Sequence, residues 1–350
     1  MNISKHLFDN LEDRTAVYSY KLSNKNGAYV EILTLGGIVY SINIPDRNGN
    51  ISDVALGLNS IYEYQRKGPY MGALIGRYAN RINKGKMLLN AIPIQLATNS
   101  GDHHLHGGNI GFDKKIWEAK IIDNSLELKY TSPDGEENYP GNLQVTVVYK
   151  FTDDNELSIN YKASCDKDTV INLTNHTYFN LLGVNCGDIL SHKLMLNADY
   201  FTVITDEAIP TGEQRLVDNT NFDFRTGTII GDRLAKENSD IQLKNGNGFD
   251  HNWIIAKTTP GIEKAAQISE DSTGRIMEVY TNKPGIQFYS GNFLDDTVVG
   301  KNGCFYKKRD GLCLETQFYP DSINHSDWPS PILKAGDLYD YTTIYKFSVK

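Results

Sequence analysis

Long hydrophobic runs are missing from this chain, as are paired cysteines, basic clusters and any tandem repeat. No stretch is long and apolar enough to span a bilayer, and Met1 to Asn10 lacks the apolar centre of a signal peptide. The four cysteines, Cys165, Cys186, Cys304 and Cys313, lie far apart with no C-x-x-C spacing. That pattern predicts buried thiols in a reducing compartment, not a disulfide framework, and a cytoplasmic protein is expected. Acidic side chains number 43 against 35 basic ones, a net charge of -8, which argues against nucleic acid or anionic membrane as a partner. The sequence also has no glycine loop opening a helix to cradle phosphate, no serine elbow and no H-E-x-x-H. A nucleotide cofactor or a catalytic metal is therefore not expected.

What is present is a chain of 350 residues with 40% apolar and 22% charged side chains, enough for a soluble globular protein with a large core. Strand patterns dominate. Leu143, Val145, Val147, Tyr149 and Phe151 alternate with polar residues, Val148 excepted. After the turn Thr152-Asp153-Asp154-Asn155, the residues Leu157, Ile159, Tyr161 and Ala163 alternate again. Two such runs around a short polar turn predict a hairpin with one buried face. Tyr341 to Val349 alternate likewise, whereas helix signals are few, Ser60 to Glu63 being a capping box for a short one. No linker interrupts residues 1–350, so the expectation is a single all-β domain, a large antiparallel β-sandwich with few short helices. Periodicity alone does not separate a sandwich from a barrel.

Five places carry chemistry. In the stretch Leu173 to Leu181, period-two reading puts Asn172, Thr174, His176, Tyr178 and Asn180 on one face, without Lys or Glu. A strand lining a polar cavity would look like this, and His176 could move a proton near neutral pH. Gly76 to Arg81 places Arg77 after an apolar run, either at a wet strand end or as a buried fork of donors. Asp102 to Gly108 holds three histidines, which invites a metal reading. The alternative is a glycine-rich turn presenting one imidazole, His106, with His103 and His104 at the surface. Gly248 to Trp253 sets Asp250 among aromatics, as an Asx turn or as an acceptor for a ligand. Finally, Glu315 sits inside an apolar strand with Cys313, Gln317 and Tyr319 on its face, while Gln287 and Tyr289 share a face of a similar strand. Burial raises a carboxyl's pKa toward neutrality, as a general base requires, although a structural ion pair would also bury one. Neutral donors, carboxylates and rings suit a neutral polyhydroxylated ligand, such as a sugar.

These motifs resemble the aldose 1-epimerase (galactose mutarotase) family nearly end to end. The resemblance is carried by Gly76-Arg77-Tyr78-Ala79-Asn80-Arg81, Leu105-His106-Gly107-Gly108, Ser132-Pro133-Asp134-Gly135-Glu136 and Leu173 to Leu181. It continues through Gly248-Phe249-Asp250-His251-Asn252 and Leu314-Glu315-Thr316-Gln317. It implies a large antiparallel β-sandwich and a cofactor-free isomerase exchanging the α and β anomers of free aldoses. In that scheme Glu315 is the base and His176 the acid, while His106, Asp250 and Arg77 hold the sugar. Asn80 and Tyr178, from the same motifs, and Gln287, from the strand it shares with Tyr289, complete the expected substrate contacts. A glycoside hydrolase using Asp250 and Glu315, a sugar-binding module and a sugar-phosphate epimerase are the competing readings.

Overall fold

The computed structural model describes residues 2–66 and 69–350. Three antiparallel sheets make up most of it. The first is a five-stranded meander running in chain order from Asn2–Asn10 to Ile51–Asp53. The second has nine strands: Glu118–Ile122, Ser125–Ser132, Leu143–Phe151 and Glu156–Cys165 in sequence, then the C-terminal Tyr339–Val349. Arg275–Thr281, Glu263–Ser269, Lys193–Leu196 and Thr228–Ile229 complete it. The third, of six strands, runs Tyr178–Phe179, Leu312–Gln317, Gly285–Tyr289, Asp250–Ile255, Ala198–Ile204 and Pro210–Leu216.

The predicted hairpin forms with Leu143 opposite Cys165 and Phe151 opposite Leu157. Its apolar residues enter one buried cluster shared by all three sheets. Contacts across the layers are specific: the Tyr345 hydroxyl donates to the Leu314 carbonyl at 3.1 Å, and the Tyr149 hydroxyl to that of Gly37 at 2.7 Å. This is the expected sandwich. The three α-helices among the described residues are short, Ile61–Gln65, Ile230–Leu234 and Ile241–Asn245. Ser60 caps the first by accepting from the Glu63 amide. Among the described residues, no helix is long and apolar enough to cross a membrane.

Three expectations need correction. The stretch 171–181 is not one strand: only Thr174–Asn175 and Tyr178–Phe179 pair, with different partners, and every residue from 171 to 181 is buried. The chain crosses from the Leu74–Ile75 segment to the six-stranded sheet there, so both of its sides are covered. His103 and His104 are not surface residues either, at 4% and 0% exposed. His103 Nδ1 accepts the Lys84 amide, and His104 is bound at both nitrogens, to the Ala97 carbonyl and the Tyr139 hydroxyl. Of the four thiols, Cys165 and Cys313 are buried as expected, but Cys186 is exposed and Cys304 half-buried.

Candidate active site

The three strands Asp250–Ile255, Gly285–Tyr289 and Leu312–Gln317 build the floor of the site. On each, alternate residues point into the apolar core: His251 and Trp253, Ile286 and Phe288, Leu312 and Leu314. The other parity is polar. Strand register sets Asp250, Tyr289, Cys313 and Tyr178 in one row, and Asn252, Gln287 and Glu315 in the next. Above this floor a cleft of about 600 Å³, partly open to solvent, is lined by Glu315, His176, His106, Asp250, Arg81 and Asn80. Pro69, Tyr70, Leu105, Tyr178, Tyr289 and Phe293 complete its wall.

His106 arrives by a small ladder, since His104–Leu105 pairs with Arg81–Ile82. At its end the backbones of Asn80 and His106 both adopt positive φ, and the His106 amide donates to the Asn80 carbonyl. Gly107 follows because nothing larger fits: a Cβ there would lie 2.0 Å from the Gly76 carbonyl oxygen. In return the Asn80 amide donates to His106 Nδ1 at 3.1 Å. A neutral imidazole carries one proton, so His106 must hold it on Nε2 and act as a fixed donor.

His176 and Glu315 face each other, Nε2 to Oε1 at 3.7 Å, at 5% and 2% exposed. Burial pushes the His176 imidazole down to about 4. Burial, and then the neighbouring Asp250 charge, push the Glu315 carboxyl well above the usual range, against the pull of Arg81. Glu315 Oε2 is buried with no protein partner, which leaves it free for a ligand. Burial likewise raises Asp250, opposed by Arg81 at 3.7 Å and by the Gln287 amide, which donates at 2.7 Å. His106 lies well below the ordinary imidazole value, because of burial and then of His176 and Arg81 nearby. The His106 and His176 rings are 5.3 Å apart, and Tyr178 stacks on His176 at 5.1 Å.

His106, His176 and Glu315 each offer an atom within 4.8 Å of the others, which raises the metal question again. The Asn80 amide occupies the lone pair of His106 Nδ1, and a proton occupies Nε2. One imidazole and one carboxylate remain, fewer than the three protein ligands of a catalytic zinc.

Among the residues anticipated from sequence, Glu315, His176, His106, Asp250, Asn80 and Tyr178 meet at the cleft. Gln287 stands behind it, bound to Asp250. Arg77 does not reach it. Its guanidinium is buried on the far side, donating to the carbonyls of Pro140, Gly141 and Ser132 and to the hydroxyls of Ser132 and Thr169. The Ser132 to Glu136 motif is thus a cradle for Arg77, with the Ser132 hydroxyl passing on to Glu136 at 2.5 Å. Arg81, four residues on, is the arginine of the cleft. Sequence reasoning gave Tyr70 and Phe293 no place on its wall, and named Tyr289 only as sharing a strand face with Gln287.

A buried imidazole facing a buried carboxyl, beside the fixed donor His106 on a large antiparallel sandwich, suits an enzyme that acts on sugars. Residues 18–346 match the aldose 1-epimerase family. The chain is 44% identical to galactose mutarotase of Bos taurus over 320 residues, 91% of each chain. It is 37% identical to aldose 1-epimerase of Escherichia coli over 329 residues, 93% of this chain and 94% of the other. The crystal structure of galactose 1-epimerase from Lactobacillus acidophilus superposes with a TM-score of 0.86 at 29% identity, covering 99% of both chains. The chain belongs to the aldose 1-epimerase family. It is an isomerase, a mutarotase acting on aldoses.

Proposed function

We propose that Glu315 and His176 open and reclose the ring of a free hexose such as galactose or glucose, the carboxylate as base and the imidazolium as acid. The observation that carries this reading is the facing of the two buried groups across 3.7 Å on the floor of the cleft. Glu315 takes the proton from the C1 hydroxyl as His176 gives one to the ring oxygen, and the C1–O5 bond breaks to leave an aldehyde. Rotation about C1–C2 presents the other face. The carboxyl then returns its proton to O1, and His176 takes back the proton of the O5 hydroxyl as the bond reforms. The proton count of the pair is the same throughout. Ionised Glu315 with charged His176 becomes protonated Glu315 with neutral His176, the form that burial favours in the empty site. His106 Nε2–H, Arg81 and Asp250 supply the donors and acceptor for the remaining hydroxyls, and Asn80 and Tyr178 shape the wall. The free thiols suit a reducing compartment, and a cytoplasmic setting is proposed on that ground.

A positioned acid or base contributes about 10²–10⁴-fold. Glu315→Gln is therefore expected to lower kcat at least about a hundredfold with sugar binding largely kept, and His176→Asn similarly. Polarimetry on fresh α-galactose and α-glucose reads the rate. Wild-type turnover by the Glu315 variant would remove the base from this scheme, and release of free sugar from a glycoside would favour a hydrolase.

A further inference from the structure

Cys313 has no part in the scheme above, yet its sulfur lies 3.4 Å from His176 Nδ1 and is fully buried. Its position is fixed from both sides, opposite Tyr178 on one neighbouring strand and Tyr289 on the other. Resting on the ring-opening reading, we propose that Cys313 is a positioning residue whose sulfur accepts the Nδ1–H of His176, so that Nε2 alone exchanges its proton with the sugar.

The argument is one of proton placement. A neutral imidazole has a single N–H. Once Nε2 has given its proton to the ring oxygen, the remaining proton must sit on Nδ1, and whatever faces Nδ1 has to accept it. A backbone amide there would block the step, and that is the arrangement at His106, where Asn80 N–H points at Nδ1. The two rings 5.3 Å apart are thus set to opposite tautomers, His106 as a fixed donor and His176 as the ring that cycles. The choice of sulfur also matters for strength. A carboxylate against Nδ1 would hold the imidazolium tightly, whereas an uncharged thiol is a weak acceptor and leaves the acid ready to give up its proton. Burial pushes the Cys313 thiol well above its ordinary value, so it remains uncharged. On the other side of the ring, His176 Nε2 faces Glu315 Oε1 at 3.7 Å, and Glu315 Oε2 is buried and unpartnered.

The test joins a spectroscopic and a kinetic reading. In protein with ¹⁵N-labelled histidine, long-range proton–nitrogen correlations report which ring nitrogen carries the proton. Wild-type His176 is expected to show a protonated Nδ1, and His106 a protonated Nε2. Cys313→Ser keeps an acceptor and should retain the tautomer with kcat within about threefold of wild type. Cys313→Ala removes it and should give mixed His176 tautomers, with kcat lowered about tenfold and KM little changed. An unprotonated Nδ1 in the wild-type ring would overturn the proposal. So would an alanine variant with unaltered tautomer and kcat, or a serine variant as impaired as alanine. The NMR reading needs no turnover: a wild-type protein that left anomers unexchanged would sink the ring-opening scheme, while the proton on His176 would still be located.

Discussion

At the scale of single residues, the ligand-facing role expected of Arg77 falls to Arg81, four residues on in the same motif. Only Arg77 was a candidate to meet a ligand, and composition does not choose between a wet fork and a buried one. Backbone geometry does: Asn80 at positive φ turns the chain, so Arg81 faces Asp250 while Arg77 points into the cradle of Ser132 and Pro140. The consequence is measurable. Arg77→Met strands several buried carbonyls and should cost on the order of 3 kcal/mol of stability, with KM of the folded fraction near wild type. Arg81→Met should leave the unfolding midpoint almost unmoved and raise KM about tenfold. Urea unfolding beside polarimetry separates the two, and the opposite pairing of effects would return Arg77 to the cleft. Glu315 and His176 were legible for a simple reason, a titratable group inside an apolar or uncharged run. Arg81, Tyr70 and Phe293 carried no such signal, because arginine and aromatics are ordinary on surfaces and their place depends on loops.

At the scale of elements, the alternating runs Leu143–Phe151 and Glu156–Cys165 were readable because one face is wet and the other dry. The three strands under the cleft were harder, since both faces are buried, one by the core and one by the loops around the site. Their polar parity still showed in the sequence at Glu315, Gln317 and Gln287, but not the register that puts Gln287 opposite both Asn252 and Glu315. That register makes an amide ladder: Gln317 donates to the side-chain oxygens of Asn252 and Gln287, and Gln287 donates to Asp250. Asp250 is thereby aimed at the cleft by a side chain that does not line it. Gln287→Leu removes the donor at similar size. Because hydrogen bonds to charged groups are worth about 1.5–3 kcal/mol, KM should rise about tenfold or more while kcat changes less. An unchanged KM would show that Arg81 alone orients Asp250.

At the scale of the whole molecule, the sandwich buries imidazoles as well as apolar side chains. His104, His106, His176, His192 and His251 all lie below the ordinary value of 6.5, with burial the first cause in each. A base with a depressed folded pKa lends stability that is fully present above the unfolded value and is lost as pH falls through the window below it. Buried carboxyls such as Glu315 act in the opposite sense and offset part of the effect, so the net slope does not report any one ring. His251 allows a single term to be isolated. It is pushed down to about 3, its Nε2 has no partner, and it packs against Phe222 at 4.7 Å between ring centres. His251→Phe keeps an aromatic ring in that cluster and deletes one proton from the linkage. Between pH 7 and pH 5 the wild-type protein should lose about 2 kcal/mol more stability than the variant, whatever constant offset the substitution adds. Urea midpoints at pH 7, 6 and 5 give the comparison. Parallel losses in the two proteins would mean that His251 titrates in the fold as it does in the unfolded chain, and that burial does not govern its proton.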